Sequence, residues 1–319
     1  MVGGAAAVAA QLAAEAQPSG RTPRVGVVAG ASPDPLHPVR GLREGLRDAG
    51  YIEGDNIIIE YRWARGRLDR IPGLVAELLA MKVDVLVAGN TAAAVEAKKA
   101  NQAIPIVMAF VSDPVRRGLI ASFDKPGGNV TGMSPFALEM TAKQVELLKE
   151  TLPNASRFAV LWNPSYEPSA DHLRRAQTAA APLGLQLHPV AARGHDELEA
   201  AFAATRRARA EAMLVVADPT FFIHRSRLAE LATTHRLPTM FGFREHAEAG
   251  GLMAYASDAA DLYRRSAHYV AKILKGARPS DLPVQQPTKF ELVINLRAAR
   301  ALGLAIPPSL LLRADQVLE

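Results

Sequence analysis

Three points along this chain set an acid or amide directly before a proline, each at the end of an apolar run. They are Asp113-Pro114 in VSDP, Asn163-Pro164 in WNPSY and Asp218-Pro219 in ADPTFF. Asp and Asn cap helix starts by accepting hydrogen bonds from free backbone N–H groups, and proline suits the first helical position. A side chain that caps a helix at a strand's carboxyl end also stands where open α/β sheets bind ligands. The capping and ligand-contact readings are therefore compatible for Asp113, Asn163 and Asp218. Asn90-Thr91 in AGNTAA has the same placement, with a hydroxyl and the positive end of a helix as a seat for a carboxylate. Ser32, in the turn AGASPDP, offers another hydroxyl at a strand end. Aromatic residues add stacking surface: Tyr166 and Tyr255 after strand-like runs, and the pair Phe221-Phe222 just past the Asp-Pro cap. Helical neighbours point about 100° apart, so one of those two rings packs inward while the other faces the cleft.

This inventory suits binding better than catalysis. No G-x-G-x-x-G, P-loop or G-x-S-x-G occurs, and no nucleophile-base or acid-base pair can be assembled from spacing. With no cysteine, disulfides, thiolate metal sites, cysteine nucleophiles and a lipoprotein-type anchor are excluded. The eight histidines show no zinc-type spacing, and no cofactor or metal is expected. The net charge of +5 is spread along the chain; its densest run, TRRARAE at 205–211, reads as the solvated end of a helix rather than a nucleic-acid patch. No run of apolar residues is long enough to span a membrane.

The elements that must position these groups alternate. Solid β-branched runs begin at Arg24, Asn56, Val83, Ile104, Arg157, Leu185, Ala212 and Leu237, as expected of parallel strands buried on both faces. Amphipathic helices lie between them: Leu68, Ile71, Leu74, Val75, Leu78 and Leu79 share one face, and Leu138, Val145, Leu148 and Leu152 share another. This rhythm predicts an α/β fold of two Rossmann-like, doubly wound lobes, with a crossing in the Gly- and Pro-rich stretch near 129–135 and another in the Pro-rich stretch ahead of FELVIN.

Four long strings carry a resemblance. GLREGLRDAGYIEGDNIIIEYRWARGRLDRIPGLVAELLAMKVDVLVAGNTAAA, VSDPVRRGLIASFDKPGGNVTG, DPTFFIHRSRLAELATTHRLPTMFGFREHAEAGGLM and LPVQQPTKFELVINLRAARALGLAIPPSLLLRADQVLE resemble the ABC-transporter substrate-binding proteins of the tryptophan/tyrosine type, over nearly the whole chain from Arg24. The resemblance implies a type I periplasmic-binding-protein fold with a three-crossing hinge. It places lobe one at 24–133 plus 255–286 and lobe two at 134–254 plus 287–319. It also implies ligand contacts from Thr91 and Ser112 in lobe one and from Asp218 and Phe221 in lobe two. The Gly-Thr-Pro of many relatives is replaced here by Gly89-Asn90-Thr91, so the hydroxyl is displaced by one residue. The implied function is capture of a small aromatic or branched-chain carboxylate or amino acid by hinge closure, followed by docking on a transporter's membrane subunits.

Two other readings fit the lobes. A metabolite-responsive regulator of this fold needs a helix-turn-helix before its first strand, and the 23 Ala-rich residues ahead of Arg24 are too few to read DNA. A Rossmann-type enzyme acting on a small metabolite lacks the phosphate motifs. The stretch GGAAAVAAQLAAEAQPSG at 3–20 reads as an export signal without its basic start, with Ala14-Glu15-Ala16 as an A-x-A cleavage site. Residues 1–23 are accordingly expected to lie outside the fold, and the protein is expected in the periplasm.

Overall fold

The computed structural model describes residues 21–33, 38–135 and 137–319. The export-signal reading of 3–20 falls outside these residues. The first sheet contains β1 (Arg24–Ala29), β2 (Ile58–Trp63), β3 (Val85–Ala88), β4 (Ile106–Met108) and β5 (Val130–Gly132). All five are parallel, in the order β2-β1-β3-β4-β5. The second contains β6 (Arg157–Trp162), β7 (Gln186–Ala191), β8 (Ala212–Val215), β9 (Thr239–Phe241), β10 (Met253–Ser257), β11 (Phe290–Asn295) and β12 (Gln316–Leu318). Their order is β12-β11-β10-β9-β8-β6-β7, parallel throughout except for the β10–β11 pair.

The unbroken apolar runs arise because each central strand is covered on both faces. Along β3, Val85 and Val87 face one core, with Leu42, Leu46 and Val270, while Leu86 and Ala88 face the other, with Leu74, Leu78 and Ala94. That is the period-two alternation of a strand, with apolar residues on both sides. Burying one such aliphatic side chain stabilises the fold by roughly 1.5–3 kcal/mol.

The chain passes between lobes three times: between Met133 and the helix Ala137–Thr151, at Asp258, and between Gln285 and Phe290. Two of the crossings lie side by side. The Ser134 N–H donates to the Gln285 carbonyl at 2.9 Å, and the Gln285 N–H to the Gly132 carbonyl at 3.0 Å. The second crossing falls later than the expected boundary at 254/255. β11 pairs antiparallel with β10 as far as Ser257 opposite Phe290, so Tyr255, opposite Leu292, stays in the second sheet. Asp258 then caps the helix Ala259–Leu274, its Oδ1 accepting from the N–H groups of Ala260 at 2.8 Å and Asp261 at 3.1 Å. That helix returns to lobe one and lies against the helix Val39–Asp48. Gly41 and Gly45 permit the close approach: a Cβ at either would meet the carbonyl oxygen of Ala260 or Arg264.

Among the described residues, no helix is long and apolar enough to cross a membrane, and no group of three or more His, Cys, Asp or Glu side chains is arranged to hold a metal ion.

Candidate ligand pocket

The β1–β3 register, with Val28 opposite Ala88, brings the strand ends out together, so Gly30 and Gly89 both reach the cleft. There the lobes face each other across a narrow cleft. Aromatic rings from both lobes wall it. Phe110, just after β4, lies 5.7 Å from Phe243, just after β9, and Phe222 meets Phe243 edge-on at 5.4 Å. His246 stacks under both Phe241 and Phe243, and its Nε2 lies 3.2 Å from the Phe221 carbonyl; burial pushes its pKa down to about 3, so it supports those rings as a neutral plate. Tyr166 and Tyr263 complete the wall, the Tyr263 hydroxyl donating to the Gly89 carbonyl at 3.0 Å.

One polar group in this wall stands out. Asn90 caps the helix Thr91–Ala100, its Oδ1 accepting from the Ala93 N–H at 2.9 Å. This fixes the amide so that Nδ2, buried at the pocket wall, has no partner among the described residues. An unsatisfied buried donor costs about 1–3 kcal/mol, which an acceptor on a ligand would recover.

The seat expected at Thr91 is filled by the protein itself. Tyr166 stands beside Thr91, both lining the same outer groove, and burial pushes the phenol pKa up to about 12. Thr91 Oγ1 also accepts from the Ser112 N–H at 3.0 Å. Ser112 lines the pocket, whereas Thr91 faces a second, wider groove on the far side of Tyr166.

The remaining sequence-picked residues divide. Asn163 is buried and folds its Oδ1 onto the Ser165 N–H at 2.9 Å, an Asx turn beside the outer groove rather than a helix cap. Asp218 is the cap it resembled: Oδ1 accepts from the Thr220 N–H at 2.7 Å and the Phe221 N–H at 3.2 Å. Its Oδ2 is buried without a partner, and burial pushes the carboxyl up to about 6, against the donated hydrogen bonds that pull it down. Asp218 is absent from the pocket lining, which takes its neighbours Ala217 and Pro219.

Four further placements differ from expectation. Phe221 is fully buried in the second lobe's core, and its neighbour Phe222 is the ring that faces the pocket. Tyr255 packs against Phe290, with centroids 6.2 Å apart, because β10 carries it along the sheet rather than into the cleft. Asp113 starts no helix; its φ of 51° opens a turn, and its carboxylate pairs with Arg116. Ser32 is half-buried beyond the described lining, to which its loop contributes Gly30 and Ala31. Sequence reasoning overlooked Phe110, Phe243, Tyr263 and His172. The two phenylalanines stand directly after apolar strands, a readable signal; Tyr263 and His172 lie inside helices that only tertiary packing brings to the cleft.

Two sheets of mostly parallel strands, joined by three crossings around a cleft, give the type I periplasmic-binding-protein fold. The profile of the family described as ABC transporter substrate binding protein matches residues 24–318, so the chain belongs to that family, whose members bind substrates for transporters and are not enzymes. The tyrosine-binding protein of Clostridioides difficile (strain R20291) is 26% identical over 265 residues, 83% of this chain and 76% of that protein. The ABC domain from Streptococcus pneumonia in complex with L-Trp superposes with a TM-score of 0.86 at 28% identity, over 93% of this chain and 100% of that one. A conserved domain protein from Vibrio cholerae O1 biovar El Tor has the same TM-score of 0.86 at 29% identity, again over 93% and 100%.

Proposed function

We propose that this protein captures an aromatic amino acid, or a closely related aromatic or branched carboxylate, outside the cytoplasm and delivers it to the membrane subunits of an ABC importer. The observation that carries this reading is the pairing of a ring-walled pocket with one buried, unpartnered amide donor, Asn90 Nδ2. Rings prefer offset or edge-to-face partners at 4.5–7 Å, the geometry Phe110, Phe222 and Phe243 already adopt with one another. In this reading Asn90 and Ser112 hold the carboxylate, and Tyr166 and Phe222 enclose the side chain. The tyrosine and tryptophan relatives point to the same ligand chemistry.

Closure is the working step. A ligand that touches both lobes stabilises the closed state by its differential affinity for it. The structure already has the lobes in contact: Thr220 Oγ1 of lobe two lies 3.3 Å from the Gly66 carbonyl of lobe one, and Arg117 Nη2 lies 2.6 Å from Asp171 Oδ2. The test is calorimetry and thermal shift against a panel of tryptophan, tyrosine, phenylalanine, leucine, benzoate and sugars. Aromatic amino acids are expected to bind and raise Tm; a response confined to the sugars overturns the reading.

A further inference from the structure

His172 is a pocket-wall residue with a fixed polarity. It lies on the helix Glu167–Ala180, is 3% exposed, and lines the cleft. Its Nδ1 is 2.6 Å from Thr141 Oγ1. That hydroxyl is also 3.0 Å from the Ala137 carbonyl, one turn back on its own helix. A threonine hydroxyl has one proton, and a carbonyl only accepts. The proton therefore goes to Ala137, and Oγ1 accepts from His172. This places the imidazole proton on Nδ1 and leaves Nε2 with a bare lone pair. With Nδ1 tied back to Thr141, Nε2 is the ring's remaining polar atom for the pocket, and no described residue bonds to it. Burial pushes the ring's pKa down to about 4, so it stays neutral through the physiological range. Much of the surrounding wall is carbon, from Phe110, Phe222 and Phe243.

An acceptor held in one orientation within an aromatic wall discriminates more sharply than the wall does. A hydrophobic slot separates ligands differing by a methylene by only about 10–200-fold, whereas a site built to hydrogen-bond a group can reject the analogue lacking it by about 10⁴–10⁵.

We infer that His172 is a specificity-determining residue whose Nε2 accepts a hydrogen bond from the ligand's ring, so the site selects aromatic acids bearing a ring N–H or O–H over those with a plain phenyl ring. This rests on the aromatic-acid reading above and names the chemistry within it. The indole N–H of tryptophan and the phenol O–H of tyrosine are donors of this kind; phenylalanine and N1-methyltryptophan have none.

The test is calorimetric Kd values for tryptophan, tyrosine, phenylalanine and N1-methyltryptophan, first on the unaltered protein and then on His172→Phe. The unaltered protein is expected to bind its preferred donor-bearing ligand at least tenfold tighter than the donor-free analogue. His172→Phe is expected to reduce that gap to less than threefold, chiefly by weakening the donor-bearing ligand. Equal affinities across the panel in the unaltered protein overturn the inference without needing any variant, and leave the aromatic-acid reading standing. A uniform loss with all four ligands in a folded His172→Phe also overturns it, because it would assign His172 to the ammonium shared by all of them. Failure of all four to bind removes the aromatic-acid reading, and the inference with it.

Discussion

Arg117 of the first lobe and Asp171 of the second meet across the cleft, with 2.6 Å between Nη2 and Oδ2 and side-chain exposures of only 5% and 7%. Arg116 reaches the same carboxylate from lobe one, Arg174 holds its other oxygen within lobe two, and Glu167 takes a further Arg117 nitrogen. Asp171 directly precedes His172, so the ion pair and the pocket wall move on one helix. The turn opened by Asp113 is what presents Arg116 and Arg117 to the opposite lobe.

This pair should set the open–closed equilibrium. Removing one partner of a buried ion pair typically costs about 3–5 kcal/mol, because the other charge stays desolvated. Here the stranded charge can regain water by opening, so the cost falls on closure rather than on folding. Asp171→Ala is expected to weaken ligand binding by about 100-fold or more, since 1.36 kcal/mol is a factor of ten, with a much smaller change in the ligand-free Tm. Small-angle scattering should show the variant open at ligand concentrations that close the parent. An unchanged Kd would show that the contact carries no closing energy.

Gly30 gives a steric test of the same equilibrium. A Cβ there would collide with Asn90 Nδ2 and come within 2.8 Å of Pro219 Cβ, a lobe-two atom. Gly30→Ala is therefore expected to prop the cleft apart and weaken binding at least tenfold, while the ligand-free protein keeps its stability. A drop in Tm with no loss of affinity would place the strain inside lobe one instead.

Asn90 separates capping from ligand contact. Asn90→Asp retains the oxygen that accepts from the Ala93 N–H, and replaces the free amide donor with a charged acceptor facing the same space. The fold is expected to survive, since Asp and Asn cap about equally well. Affinity for any carboxylate ligand is expected to fall by about tenfold or more, from loss of a charge-assisted hydrogen bond and added repulsion. Retained affinity would remove Asn90 from the carboxylate site.

The two adjacent phenylalanines should behave differently. Phe221→Ala opens a cavity in the second lobe's core and is expected to cost about 3–5 kcal/mol of stability, read as a fall in urea midpoint. Phe222→Ala, at the pocket wall, is expected to act mainly on affinity. The reverse pattern would mean that the rings exchange places when ligand binds.

Nine of the twelve described strands were legible, because strands such as β3 are apolar on both faces; the short β5 and β12 and the strand β10 were not. Asn90 and Asp218 were legible as caps because capping depends on a few neighbouring residues. The choice between Phe221 and Phe222 was not, because it depends on how one short helix is rotated against the sheet. Nor was His172, whose polarity comes from Thr141, 31 residues earlier on another helix. The Tyr255 boundary failed for a similar reason: β10 ends where β11, arriving from 33 residues further on, stops pairing with it.

Asp218 connects the site to pH. Burial raises its folded-state pKa from 3.8 to about 6, so the folded protein holds this proton more tightly than the unfolded chain does. A raised pKa gives a contribution to stability that is fully present below about pH 4 and lost as pH rises to about 6. Above that the buried carboxylate costs on the order of 2–3 kcal/mol, because a tenfold change in proton affinity is worth about 1.36 kcal/mol. Asp218→Asn keeps the cap oxygen without the charge. The variant is expected to gain stability relative to the parent at pH 7–8, and the two should converge near pH 4. Urea unfolding of both proteins from pH 4 to 8 measures the difference directly, without the contributions of His172 and His246 that they share. If a ligand ammonium pairs with the free Oδ2, ligand should stabilise the parent more than Asp218→Asn at pH 7.5. Equal ligand stabilisation of the two proteins at that pH would confine Asp218 to capping its helix.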